Sequence, residues 1–160
     1  MTTDRLAPRL RRMRWWDVDA VHAVEQQLFP HDAWTPEMFW SELAGVPETR
    51  WYVVAELGDR LVGYAGLMVV PPEADVQTVA VAREAQRRGI GRRLLAALAA
   101  QARSRGCRSL MLEVAADNTA AQRMYLADGF ETVARRSRYY PDGTDAIVMR
   151  RRLSAEVPGD

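Results

Sequence analysis

Gln86-Arg87-Arg88-Gly89-Ile90-Gly91-Arg92-Arg93-Leu94-Leu95 sets two glycines among arginines at the mouth of a patterned helix. Before it, Val76-Gln77-Thr78-Val79-Ala80-Val81 reads as a strand. After it, Ile90, Leu94, Leu95, Leu98 and Ala102 recur at helical spacing until Gly106 supplies a stop. Glycine lets a backbone approach a ligand closely, and the first turn of a helix offers donors at the positive end of a dipole. A strand, a glycine turn and a helix in that order are a place to hold a pyrophosphate. The chain contains no lysine, which excludes a P-loop, and Leu94 stands where a dinucleotide fingerprint needs a third glycine or alanine.

Downstream, Leu110-Met111-Leu112-Glu113-Val114 is a strand-like apolar run broken by one carboxylate. Asn118 then opens a short helix that carries Tyr125 and ends near Gly129-Phe130. Upstream, Arg9 to Trp15 reads as a strand, and Asp17 as the cap of a helix whose Val18, Val21, Val24 and Leu28 share a face. Thr35-Pro36-Glu37 announces a second helix. Trp51 to Glu56 and Leu61 to Val70 form a hairpin around Gly58-Asp59, and two last strands, Glu131 to Tyr139 and Asp145 to Arg152, flank Pro141-Asp142-Gly143-Thr144. The order β-α-α-β-β-β-α-β-α-β-β is that of an α/β fold, with a mixed sheet covered by helices on both faces.

With 160 residues, 48% of them apolar, the chain suits a single domain over 1–153, with loose ends at 1–6 and 154–160. A net charge of +1, from 22 basic and 21 acidic residues, gives no global field for nucleic acid, so no direct nucleic-acid partner is expected. All the basic residues are arginine. The lone Cys107 makes no internal disulfide, and no Cys or His cluster suggests a metal. Without a leader or a stretch long enough to span a bilayer, a cytoplasmic protein is expected, with no membrane partner. Cys107 reads as a buried filler, and neither His22 nor His31 is needed as a base. Arg9, Arg11, Arg12, Arg14 and Arg150-Arg151-Arg152 read as solvated strand edges before they read as an RNA surface.

Gln86-Arg87-Arg88-Gly89-Ile90-Gly91 resembles the acetyl-CoA motif of the GNAT superfamily of N-acetyltransferases, Gln/Arg-x-x-Gly-x-Gly/Ala. Leu112-Glu113-Val114 through Asn118, Ala120-Ala121, Tyr125 and Gly129-Phe130 resembles that superfamily's next block, and the likeness runs from about Arg9 to Leu153. It implies a largely antiparallel sheet of about seven strands, splayed between the fourth and fifth, with acetyl-CoA as cosubstrate and no metal. By the same resemblance Val79, Ala80 and Val81 offer backbone groups to the pantetheine and acetyl. Arg87, Arg88, Gly89, Ile90, Gly91 and Arg92 cradle the pyrophosphate, and Asn118 and Tyr125 touch the cofactor arm. An N–H near Val81 would steady the carbonyl oxygen as it gains charge.

A peptide α-amino group has a pKa of about 8 and must lose a proton before it attacks. The resemblance makes Glu113 that base, although alone it reads as a strand residue facing solvent. It makes Tyr125 the donor to the leaving thiolate, although alone it reads as a half-buried aromatic. Tyr139-Tyr140-Pro141 followed by Asp145-Ala146 resembles the peptide side of the superfamily's N-terminal acetyltransferases. In those enzymes the acceptor enters between segments matching Phe29–Thr35 and Tyr139–Asp145 here, which adds Trp34, Tyr139, Tyr140 and Asp145 as substrate-side candidates, Trp34 reading equally well as core. The implied partner is a protein N-terminus, the alanine of small-subunit ribosomal protein eighteen. The rivals are a lysine or small-amine acetyltransferase, and a non-catalytic acyl-CoA-binding scaffold docked on a tRNA-modification protein.

Overall fold

The computed structural model describes residues 7–154, so the loose ends read at 1–6 and 154–160 lie, apart from Ser154, outside the described residues. The chain runs β1 (Arg9–Arg12), α1 (Val18–Leu28), α2 (Pro36–Ala44), β2 (Arg50–Leu57), β3 (Arg60–Val70), β4 (Glu73–Val81), α3 (Ile90–Ser104), β5 (Ser109–Ala115), α4 (Thr119–Ala127), β6 (Glu131–Arg136) and β7 (Ala146–Arg152). This is the expected element order. The strands are ordered β1-β2-β3-β4-β5-β7-β6 in a seven-stranded sheet. The β4–β5 pair is parallel, and β1–β2, β2–β3, β5–β7 and β6–β7 are antiparallel. The β4–β5 register runs Glu73↔Ser109, Ala74↔Leu110, Asp75↔Met111 and stops there, although both strands continue.

Two compact units make up the described chain, residues 7–68 with Gln77–Leu98, and Val69–Val76 with 99–154. In the first, Met13, Val18, Val21, Phe39, Tyr52, Val54, Tyr64 and Ala80 belong to one buried cluster, against which Leu28, Phe29, Trp34 and Leu43 pack. Tyr52 fits because its cross-strand partner is Gly66, where a Cβ would stand 2.1 Å from the ring. The Tyr52 hydroxyl then donates to Glu42 at 2.6 Å, tying β2 to α2. Thr35 caps α2 as expected, its hydroxyl accepting from the Met38 N–H at 3.3 Å.

Asp17 is not the side-chain cap of α1 that the sequence suggests. Its carboxylate accepts two bonds from the Arg11 guanidinium, each 2.8 Å, and one from the Arg14 N–H at 2.7 Å. A 3-10 turn over Trp15–Asp17 ends β1 early and leaves the acid buried, 6% exposed. Arg11 holds that carboxyl below its usual range. In the second unit, Leu110, Leu112 and Val114 alternate into the interior of β5 while Glu113 faces out. Tyr125 and Phe130 meet edge to face at 5.7 Å, and Cys107 is a buried filler.

Candidate functional site

The glycine turn lies in the first unit. Arg87 (φ 66°) and Gly89 (φ 76°) both sit in the left-handed region, where a side-chain-bearing residue such as Arg87 is uncommon. A Cβ on Gly89 would meet nothing within 4 Å, so conformation rather than crowding calls for glycine there. The Gln86 carboxamide folds back to donate to the Val81 carbonyl at 3.0 Å, joining the turn to the end of β4. Helix α3 starts at Ile90, and the Arg93 N–H closes its first bond on Gly89 O at 3.1 Å. The N–H groups of Ile90, Gly91 and Arg92 precede that bond and have no partner within the helix. Ile90 is buried and anchors the turn, while Arg87, Arg88, Gly89 and Arg92 are exposed. Backbone donors, a helix dipole and guanidinium groups on one short segment suit the diphosphate of acetyl-CoA. Ala80 is buried, Val79 and Val81 partly so, and a Cβ on Gly63 would stand 3.0 Å from the Ala80 carbonyl oxygen.

The carboxylate and its neighbours lie in the second unit. Arg136 Nε is 3.3 Å from Glu113 Oε1, and the guanidinium sits 5.7 Å from the centroid of the Tyr139 ring. The Tyr139 hydroxyl is hydrogen-bonded to Glu113, and this bond, before any other cause, pushes the phenol above its ordinary pKa. Tyr140 stands edge to face with Tyr139 at 5.2 Å. Glu113 therefore connects β5 to β6 and to the loop that follows it. Asp75 closes the β4–β5 ladder opposite Met111, on the sheet face that Glu113 shares. Burial first, then Glu73 and Glu113, raises the proton affinity of Asp75.

Tyr125 is 9% exposed, more buried than the half-buried aromatic of the sequence reading. Burial first, and the Tyr140 phenol second, pushes it up to about 12. Asn118 caps α4, its side-chain oxygen accepting from the Ala121 N–H at 3.1 Å, which leaves its amide donors for other use. Asp145 accepts from the Arg138 N–H at 2.9 Å and from Arg135 Nε at 2.7 Å, so both its oxygens hold the β6–β7 loop. Arg138 and then Arg135 keep its carboxyl low. Trp34 packs on the first unit's core, 5.2 Å from Phe39.

Glu113, Tyr139 and Tyr140 are thus brought together. Arg136 and Asp75 beside Glu113, and separately Glu25 in the core of the first unit, are residues that the sequence reading did not single out. Glu25 left one signal, standing seven residues after Val18 and four after Val21 on the apolar stripe of α1.

Residues 10–130 match the profile of the Acetyltransferase (GNAT) family. An uncharacterized protein of Mycobacterium leprae is 43% identical over 141 residues, covering 84% of this chain, which spans 38% of that protein's length. The N-alpha-acetyltransferase RimI of Mycobacterium tuberculosis is 41% identical over 157 residues, covering 94% of this chain and 96% of the relative. The crystal structure of the ribosomal-protein-S18-alanine N-acetyltransferase from Escherichia coli superposes with a TM-score of 0.84 at 30% identity, over 96% of this chain and 99% of that one. Strand order, glycine turn and near full-length likeness agree, and the chain belongs to the acetyltransferase (GNAT) family.

Proposed function

We propose that this acetyltransferase acts on protein N-termini, moving the acetyl group of acetyl-CoA to the α-amine of an N-terminal alanine, that of ribosomal protein S18. The reading rests on likeness over nearly the whole chain to relatives named for that activity. Acetyl-CoA supplies an activated thioester. Arg87, Arg88 and Arg92, with the N–H groups from Gly89 to Gly91, bind its diphosphate. Val79, Ala80 and Val81 present backbone groups to the arm, and Asn118 offers an amide donor.

Glu113 takes the proton from the incoming ammonium, directly or through a water. The Arg136 pair yields readily, because the arginine side chain is 58% exposed and such pairs are weak in water. Tyr125 donates to the departing sulfur. A phenol near pKa 12 beside a thiol near 8.5 keeps its proton, so its contribution is a hydrogen bond to the growing thiolate. Tyr139, Tyr140 and the Asp145-braced loop face the acceptor. The proposed partner is the ribosomal protein's N-terminus alone.

No helix among the described residues is long and apolar enough to cross a membrane. We place the protein in the cytoplasm, where ribosomes and acetyl-CoA are found.

The test is CoA release with acetyl-CoA and peptides beginning with alanine, serine or methionine, beside blocked-terminus and polyamine controls. Label confined to a free α-amine, with alanine preferred, is the expected result. Transfer to polyamine or lysine alone overturns it.

A further inference from the structure

Glu25 is 3% exposed on the apolar stripe of α1. A carboxylate in that place is costly unless its oxygens are bonded. Each has a partner, Oε1 accepting from the Tyr64 hydroxyl at 2.6 Å and Oε2 from the Trp34 backbone N–H at 3.3 Å. Tyr64 is fully buried in the middle of β3, while Trp34 belongs to the segment between α1 and α2. Phe39 completes the circuit, 5.2 Å from the Trp34 ring and 5.9 Å from that of Tyr64. One side chain thus fastens the α1–α2 segment to the centre of a strand.

Stability is a poor reason for a carboxylate here, since well-packed apolar groups commonly do as well or better in such places. Burial lifts the proton affinity of Glu25 even against its two bonds, with Asp32 adding to the rise and His22 opposing it. The adjoining strand gives a better reason. Gly63, next to Tyr64, is where a Cβ would stand 3.0 Å from the carbonyl oxygen of Ala80 on the cofactor strand. The α1–α2 segment and β4 are therefore both held against the Gly63-Tyr64 step of β3.

We propose that Glu25 is a positioning residue for the acceptor, fixing segment 29–35 through Tyr64 and the Trp34 backbone at a set distance from the strand that presents the thioester. This rests on the N-terminal acetyltransferase reading, in which the acceptor lies along that segment.

The test is steady-state kinetics of the full chain with acetyl-CoA and an alanine-starting peptide, each varied in turn, for wild type, Glu25→Gln, Glu25→Ala and Tyr64→Phe. Glu25→Gln keeps both links, its amide oxygen accepting from the Trp34 N–H and its NH2 donating to the Tyr64 oxygen, and stays within about twofold of wild type. Glu25→Ala raises the peptide KM roughly tenfold and leaves the acetyl-CoA KM within about twofold. Tyr64→Phe, which leaves the Trp34 bond in place, gives a smaller rise of the same kind and decides the matter if Glu25→Ala does not fold. A merely structural role lowers Tm without separating the two KM values. An unchanged peptide KM in the folded variants, or equal rises in both, overturns the proposal. Wild type that acetylates no peptide overturns the functional reading, and this inference with it; wild type that does so with no KM split overturns only the inference.

Discussion

The guanidinium Nε of Arg136 lies 3.3 Å from a carboxylate oxygen of Glu113, across the width of β7. Glu113 pairs with Val148, Val148 with Ala134, and Arg136 stands two residues beyond Ala134 on the same face. The pair is open to water, so removing the arginine and removing the acid have unequal consequences. Arg136→Ala should change stability by less than about 1 kcal/mol and kcat/KM by less than about fivefold. Glu113→Gln should lower kcat by roughly 100-fold or more with acetyl-CoA affinity intact. Initial rates and calorimetric CoA titration check both. A Glu113→Gln enzyme as fast as wild type removes the base from the mechanism.

Tyr125 keeps its proton through the neutral range, since burial carries it up to about 12. Tyr125→Phe should therefore slow acetyl transfer by a similar factor at every pH from about 6.5 to 10. A rate–pH profile that converges with wild type on the alkaline side would show the phenol titrating in that range.

Arg87 occupies a left-handed conformation that glycine adopts without steric strain. Arg87→Gly should raise Tm while weakening acetyl-CoA binding, because it relieves about 1 kcal/mol of strain and removes a cation from the turn. Gly89→Ala should lose cofactor affinity through strain alone, since nothing stands within 4 Å of its Cβ. Thermal melts with and without CoA separate the two effects.

Gly66→Ala drives a methyl into the Tyr52 ring, which its Glu42 bond keeps from swinging away. A loss of about 1–3 kcal/mol in urea unfolding is expected. Tyr52→Leu combined with Gly66→Ala should recover part of it.

Asp17 is held low by Arg11, so the folded chain binds fewer protons here than the unfolded one. Its contribution is complete above the ordinary aspartate range, about 4, and is lost as pH falls through the lowered folded value. Asp17→Asn should cost about 1–3 kcal/mol at neutral pH and flatten the acid limb of the stability curve. Urea melts from pH 7 downward would show an unaltered limb if Asp17 were not responsible.

The glycine turn was legible because Gly89 marks a left-handed backbone position just before a patterned helix, and element order followed from hydrophobic period and turn residues. The Asp17 bonds were not, because the acid's partner is a strand arginine six residues earlier rather than the helix it precedes. Arg136 was hidden for a topological reason. The last strand inserts between β5 and β6, so the neighbour of Glu113 depends on a strand order that local patterning does not carry. Glu25 was masked by its own placement, a polar residue on a stripe that otherwise reads as core.

The guanidinium-rich turn before α3 also bears on the enzyme's durability. A thioester is an electrophile that acylates neutral amines, and lysine near it is a target. Here the chain contains no lysine, and the cations of the turn, Arg87, Arg88 and Arg92, are all guanidinium groups. In the proposed site the charge that would draw in the donor is one the donor does not acylate, and the sequence offers no ε-amine for its own reagent to consume.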